Sequence, residues 1–168
     1  PPVINLIGID RIEGIQGLVD AKFVSIDPYP LKGENVELGD FRMAGFGYPD
    51  MDMAEYVDIS RRTLDGNGVL WTILQAHRSL NSKREPTPAE VRAMSWIALA
   101  HGSKGLFYFE YHTQQSWIGL VHEGKSTNRY DAAAQVCKEI ESITGTLLQL
   151  DFQDDKAART STDRAEVQ

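Results

Sequence analysis

Short apolar runs alternate with longer amphipathic segments along most of this chain, and three of the apolar runs end on a polar side chain. Those side chains are Asp27, Gln75 and Glu110, and each can accept a hydrogen bond. The runs themselves are rich in β-branched and aromatic residues, whereas the segments between them have helical spacing. This alternation predicts parallel strands whose C-terminal ends meet at one edge of a sheet.

Four strand-and-helix units follow from the pattern. The strands are predicted at 3–8, 22–27 and 69–75 and from residue 106 onward, and the helices at 10–20, 52–64, 88–101 and 131–144. The third helix has the clearest start, because Thr87, Pro88 and Glu90 have the spacing of an N-cap, a first helical proline and a capping-box partner.

The predicted fold class is α/β, either a (β/α)8 barrel or the C-terminal half of one with about four parallel βα units. A complete barrel takes about 250 residues, and this chain has 168 and enters its first strand at once. The units are assigned to residues 1–150, and residues 151–168 to a polar tail or linker. An open sheet of four strands is the alternative.

Composition excludes several classes of function. The net charge of −7 argues against a nucleic-acid partner, since phosphate binding needs concentrated Lys and Arg. No apolar run approaches the roughly 18 residues of a membrane span. The single cysteine, Cys137, forms neither an intrachain disulfide nor a cysteine-based zinc site. A soluble globular domain is therefore expected, without a nucleic-acid partner and without a membrane.

Three stretches resemble bacterial TIM-barrel glycoside hydrolases. They are IDPYP at 26–30, VLWTILQAH at 69–77, and PTPAEVRAMSWIALAHGSKGLFYFEY at 86–111. The resemblance covers about residues 3–150 and implies a barrel that acts on an oligo- or polysaccharide, with no cofactor implied. In retaining barrels of this kind the nucleophilic Glu ends the seventh strand and the acid/base Glu ends the fourth. Gln75 stands at the seventh-strand position and the fourth strand is absent, so the mechanism does not transfer residue by residue.

Two carboxyl groups are the candidates for glycoside hydrolysis, which uses a pair about 5 Å apart for retention and about 6.5–9.5 Å apart for inversion. They are Glu110, predicted to be the acid because Phe109 and Tyr111 flank it, and Asp27, predicted to be the base or nucleophile. The alternative is that both accept structural hydrogen bonds from loops or bind sugar hydroxyls.

Further polar and aromatic residues are predicted at the same edge. Gln75 has an amide that suits a sugar hydroxyl, or alternatively ties two strands together. His77 and His112 are expected on one face by strand alternation, and the spacing of a metal site is absent. The residues predicted to bind sugar are Tyr29, Arg42, Gln75, His77, Tyr111, His112 and Trp117. Arg42 belongs to the long connection at 31–49, which is expected to lack regular structure and to border the site.

Three hypotheses for function remain open at this point. The first is a glycoside hydrolase, which is the interpretation favoured by the resemblance. The second is a carbohydrate-binding barrel without catalysis, which Gln75 would explain. The third is a half-barrel that pairs with a second copy of itself or with a missing N-terminal half. Export from the cell is a secondary expectation, as it is common for polysaccharide-active bacterial proteins.

Overall fold

A computed structural model describes residues 3–6, 22–31, 37–45, 48–64, 66, 68–79, 84–150 and 152. In chain order its strands are β1 (Val3–Leu6), β2 (Phe23–Ile26), β3 (Arg42–Gly45), β4 (Tyr48–Asp52), β5 (Val69–Gln75), β6 (Arg78–Ser79), β7 (Gly105–Phe109), β8 (Trp117–Ile118), β9 (Val121–His122) and β10 (Lys125–Ser126). The helices are α1 (Met53–Thr63), α2 (Pro88–Ala100) and α3 (Asn128–Leu147).

The central feature is a four-stranded sheet in the order β1-β2-β5-β7, in which every neighbouring pair is parallel. The prediction of parallel strands alternating with helices is confirmed, since α1 lies between β2 and β5 in the chain and α2 lies between β5 and β7. Because the strands run the same way, all four C-terminal ends lie at one edge of the sheet. Four strands are half the number of a closed (β/α)8 barrel.

The two faces of the sheet differ, because side chains alternate along each strand. Residues such as Val24, Leu70 and Leu74 lie on one face, where they belong to a fully buried core with side chains of α1 and α2. The opposite face carries Trp71, whose ring contacts Phe23 and Phe107 at centroid distances of 5.0 and 5.4 Å. Phe107 is 49% exposed, so the helices cover one face and leave an aromatic face partly accessible.

The helix starts agree with the sequence signals. The Asp52 side chain caps α1 by accepting from the Ala54 N–H at 2.7 Å. Thr87 and Glu90 form the predicted capping box at the start of α2, with Pro88 in its first turn. The last helix, α3, is longer than predicted at both ends. It packs along α2, where Arg92 pairs with Glu139 at 2.9 Å.

The connection at 31–49 differs from its prediction. Within its described part, β3 and β4 pair as an antiparallel hairpin, and Met43 is fully buried in the core. Composition alone predicts an irregular structure for a long connection that contains glycines. The apolar side chain of Met43 is buried in the core, however, and this burial fixes the strand that carries it. The predicted helix at 10–20 and the tail at 151–168, apart from Phe152, lie outside the described residues.

Across the part of the chain that the structure describes, no helix is both long enough and apolar enough to cross a bilayer.

Candidate active site

The C-terminal edge of the sheet brings together the segments that follow β2, β5 and β7. Asp27 comes directly after β2, Gln75 is the last residue of β5, and Glu110 comes directly after β7. All three side chains are buried, with exposed fractions of 6, 0 and 6%. Burying three polar side chains at one edge requires hydrogen-bond partners or a ligand, because a buried polar group without either is costly.

Four rings stand at this edge and contact one another, and we call Tyr29, His77, Phe109 and Trp117 the aromatic wall. The His77 ring meets Tyr29, Phe109 and Trp117 at centroid distances of 5.0, 5.3 and 4.6 Å. Phe109 and Trp117 meet edge to face at 5.4 Å. Phe109 was not singled out in the sequence, although alternation along β7 places it on the same face as Phe107.

His77 is held in one orientation at the centre of the wall. Its Nδ1 lies 2.8 Å from the carbonyl oxygen of Phe109, and its side chain is fully buried. Because a carbonyl only accepts, Nδ1 carries the hydrogen and donates it. The same carbonyl also accepts from the Ala76 N–H at 2.8 Å. The turn after β5 is therefore fastened to the end of β7.

Trp117 reaches the wall through a small strand pair. β6 and β8 are antiparallel, with Ser79 opposite Trp117 and Arg78 opposite Ile118. The loop after β7 thus forms backbone pairing with the loop after β5. This pairing connects the two neighbouring strand-to-helix loops on one side of the site.

Glu110 has the most distinctive environment of the three polar residues. Its Oε2 accepts from Gln114 Nε2 at 2.7 Å, whereas its Oε1 is buried and has no hydrogen-bond partner among the described residues. Its backbone oxygen accepts from the Leu120 N–H at 2.8 Å. A buried carboxylate oxygen in this situation is satisfied either by a proton or by a group that enters the site. Gln114, which orients the carboxylate, carried no sequence signal that distinguished it.

Asp27 lies further down the sheet than Glu110. Ile26 pairs with Thr72 and Gln75 with Phe109, so position 27 is level with 73 and position 110 is three residues beyond 107. With β5 between them, a strand spacing of about 4.8 Å and a rise of about 3.3 Å per residue separate the two α carbons by about 14 Å. That lattice does not allow the retaining separation of about 5 Å, and it allows the inverting range only if both side chains point toward each other.

Both the oxygen and the nitrogen of the Gln75 side-chain amide form hydrogen bonds with backbone groups. Its Oε1 accepts from the Leu31 N–H at 3.0 Å, and its Nε2 lies 3.2 Å from the carbonyl oxygens of Leu31 and Arg84 and 3.4 Å from that of His77. The side chain is fully buried. Of its two predicted roles, this geometry favours the amide that ties chain segments together.

Replacing Gln75 by glutamate is expected to destabilise the fold without creating a nucleophile. The substitution would place a carboxylate oxygen against the carbonyls of Leu31, Arg84 and His77, and we expect a loss of roughly 2–4 kcal/mol in the free energy of unfolding. Urea unfolding at neutral pH measures this loss, with Gln135→Glu on the exposed side of α3 as the matched control. A stable Gln75→Glu variant with raised glycosidase activity would contradict the structural role.

Three residues predicted to bind sugar are exposed. Tyr111 is 62% exposed, and His112 and Arg42 are also exposed. His77 is fully buried in the wall, whereas His112 lies beyond the end of β7 and is exposed. Within the described residues no three His, Cys, Asp or Glu side chains gather closely enough to hold a metal ion.

Comparison with known proteins identifies the family. The family model described as beta-galactosidase, that of glycoside hydrolase family 42, matches residues 2–150. The chain belongs to glycoside hydrolase family 42. A curated relative, beta-galactosidase BgaA of a Thermus species, is 29% identical over 137 residues, covering 74% of this chain and 21% of that protein. The chain therefore spans about a fifth of the length of the relative it matches.

Family membership confirms the resemblance to bacterial TIM-barrel glycoside hydrolases. The family is a TIM barrel, and the four parallel strands with their outer helices agree with half of such a barrel. In a (β/α)8 enzyme the active site lies at the C-terminal edge of the strands. That is the edge where the family 42 chain carries Asp27, Gln75, Glu110 and the aromatic wall.

Proposed function

We propose that this family 42 chain supplies part of the substrate-binding and catalytic edge of a β-galactosidase-type barrel, with Glu110 as its carboxyl group at the glycosidic bond. The observation that carries the proposal is the buried Oε1 of Glu110, which has no hydrogen-bond partner among the described residues. The β-galactoside substrate class is taken from the family description and from the printed name of the Thermus relative.

The aromatic wall gives this edge a surface suited to a sugar. Flat rings present apolar faces to the C–H groups of a sugar ring, while a polar edge engages its hydroxyls. Trp117 is partly exposed and supplies aromatic surface, and Glu110 follows directly after the wall residue Phe109. A galactoside lying against the wall would bring its hydroxyls or its glycosidic oxygen to the Glu110 carboxyl.

Glu110 is proposed to act as the general acid. In its protonated form the carboxyl donates a proton to the glycosidic oxygen as the bond to the anomeric carbon breaks, and a water molecule adds to that carbon and gives up a proton. Gln114 holds the second carboxyl oxygen at 2.7 Å and so fixes its orientation. Asp27 is proposed as the second carboxylate in an inverting arrangement, because an α-carbon separation of about 14 Å is more compatible with that geometry than with a covalent intermediate.

A second candidate function is carbohydrate binding without hydrolysis, and the environment of Gln75 favours it. A carboxamide has no negative charge with which to attack an anomeric carbon, and this amide is already bonded to three backbone carbonyls. The aromatic wall and Glu110 would then form a sugar-binding surface. The proposal of pairing with a second copy of the chain rests on the open strand edges expected of a half-barrel and stays a prediction.

Wild-type protein at its natural length is the material for the first test. We expect it to hydrolyse p-nitrophenyl β-D-galactopyranoside and to bind galactose or lactose in calorimetry. Hydrolysis together with binding supports the glycosidase, and binding without turnover supports the second candidate. Neither binding nor turnover on galactosides or on a broader aryl-glycoside panel would overturn both.

A further inference from the structure

Arg129 occupies a place that is electrostatically unfavourable for a cation. It lies in the first turn of α3, where the helix dipole is positive, and its side chain is fully buried. Burial lowers the pKa of its guanidinium below the ordinary value; Glu85 acts in the opposite direction and neighbouring Arg78 lowers the pKa further. The helix itself gains nothing from a cation here, so the contacts of Arg129 must explain its position.

Those contacts join two strand-to-helix loops. Arg129 Nη2 donates to the carbonyl oxygen of Gly119 at 2.8 Å, within the loop after β7. Its Nη1 forms an ion pair with Glu85, in the connection between β5 and α2. The same two loops carry Trp117 and His77, which meet in the aromatic wall. One buried guanidinium therefore connects the two loops that carry Trp117 and His77.

The Gly119 segment in turn holds the backbone of Glu110. Leu120 N–H donates to the Glu110 carbonyl oxygen at 2.8 Å, and Val121 N–H donates to that of Tyr111 at 2.7 Å. The two segments approach so closely that a Cβ atom on Gly119 would lie 2.6 Å from the Glu110 carbonyl oxygen. The close approach and the hydrogen bond from Leu120 therefore couple the position of Gly119 to the backbone of Glu110.

We propose that Arg129 is a positioning residue that sets the spacing between the Glu110 carboxyl and the aromatic wall. The consequence for galactoside turnover rests on the proposed function, whereas the spacing itself does not. Arg129 reaches no ligand in this scheme and acts only through Gly119 and Glu85. Its planar guanidinium suits the task, because it presents several fixed donors to two partners at once.

The test compares Arg129→Met and Arg129→Lys with a control at another paired arginine, Arg92→Met. The proteins are labelled with 5-fluorotryptophan, so that the three tryptophans of the chain each give a ¹⁹F resonance, assigned by Trp→Phe variants. We expect Arg129→Met to shift the Trp117 resonance and to leave those of Trp71 and Trp96 in place. Arg92→Met should disturb only Trp96, over whose ring Arg92 lies at 6.0 Å.

Kinetics of lactose hydrolysis provide the second measurement, because the sugar leaving group needs the proton of the acid. We expect kcat/KM to fall by roughly 10- to 100-fold in Arg129→Met, mainly through kcat, because a displacement of about 1 Å at the acid is costly. Arg129→Lys should recover part of the loss, since an ammonium can still donate to Gly119 but cannot span both partners. A purely structural role would lower thermal stability and leave the Trp117 resonance and the kcat-to-KM balance unchanged.

A folded Arg129→Met variant with an unmoved Trp117 resonance would overturn the proposal. If that variant does not fold, Glu85→Ala decides the matter, because Glu85 is half-exposed and its removal releases from Arg129 the loop of His77, whose ring contacts Trp117 at 4.6 Å. An unshifted Trp117 resonance in Glu85→Ala would then overturn the proposal. If the unmodified protein neither binds nor cleaves galactosides, the proposed function fails, while the resonances still decide the role of Arg129.

Discussion

Replacing Glu110 by glutamine is expected to lower kcat for galactoside hydrolysis by about 10²- to 10⁴-fold, which is the usual contribution of a general acid. Glutamine keeps the shape of the side chain and can still bind a hydroxyl, but it has no proton to give to a departing oxygen. KM should therefore change little. Steady-state kinetics of lactose hydrolysis measure both quantities, because the sugar leaving group, unlike p-nitrophenolate, departs only with a proton.

Glu141→Gln is the matched control for this prediction, since Glu141 lies on the exposed side of α3 and its change should leave kcat and KM unaltered. Calorimetric binding of galactose to the Glu110→Gln protein separates chemistry from recognition. An unchanged kcat in a folded Glu110→Gln protein would remove Glu110 from the catalytic role. If binding is retained in a wild type that has no turnover, Glu110 belongs instead to a sugar-binding surface.

Replacing Glu90 by alanine is expected to lower the free energy of unfolding by about 3–5 kcal/mol, as for one partner of a buried ion pair. The Glu90 carboxylate accepts from both Nη atoms of Arg84 at 2.6 and 2.9 Å. It also accepts from the N–H and hydroxyl of Thr87, each at 2.9 Å, and from the Gly39 N–H at 3.1 Å. All of these donors lose their partner together. Urea unfolding near neutral pH measures the effect, again with Glu141→Gln as the control.

The same carboxylate makes stability depend on pH in the acid range. Burial by itself raises the pKa of Glu90, but the hydrogen bonds from Arg84, Thr87 and Gly39 outweigh it and lower the pKa from 4.5 to about 2. Because the folded state holds the proton less tightly, this stabilisation is complete above the unfolded value and is lost as pH falls from 4.5 toward 2. Its size is roughly 3 kcal/mol.

Urea unfolding at about pH 3 and near neutral pH tests this dependence. Wild type should lose more stability on acidification than Glu90→Gln, which has no carboxylate to protonate at this position. Equal losses in the two proteins would show that the Glu90 hydrogen bonds do not set the acid response.

The sheet and the helices were predictable from the sequence because their signals are local. The strand at 69–75 shows a β-rich apolar run, and it is observed with those bounds as β5. The capping box of Thr87 and Glu90 is a pair of residues three positions apart, and it marks the start of α2 in the structure. The 31–49 connection was misjudged, because its hairpin depends on burying Met43 in a core that composition does not reveal.

The candidate site was predictable only in part. The convergence of Asp27, Gln75 and Glu110 on one edge follows from parallel strands alone, and family membership came from motifs spread over the chain. The sequence did not show which role each of these three residues has. Glu90 illustrates the reason, since the capping box was evident while its contact with the Gly39 N–H joins segments 51 residues apart in the chain.

The sequence by itself determined the α/β class, the strand and helix periodicity, the helix caps and the resemblance to glycoside hydrolases. All of these depend on contacts within a few residues or on motifs. Packing of the elements determines that the Gln75 amide is hydrogen-bonded to the backbone. It also determines that Glu110 has a buried oxygen without a partner among the described residues, and that His112 is exposed. It also places the Arg129 side chain within hydrogen-bond distance of Gly119. These outcomes depend on which distant backbone groups meet each side chain, and that is settled only when the elements pack together.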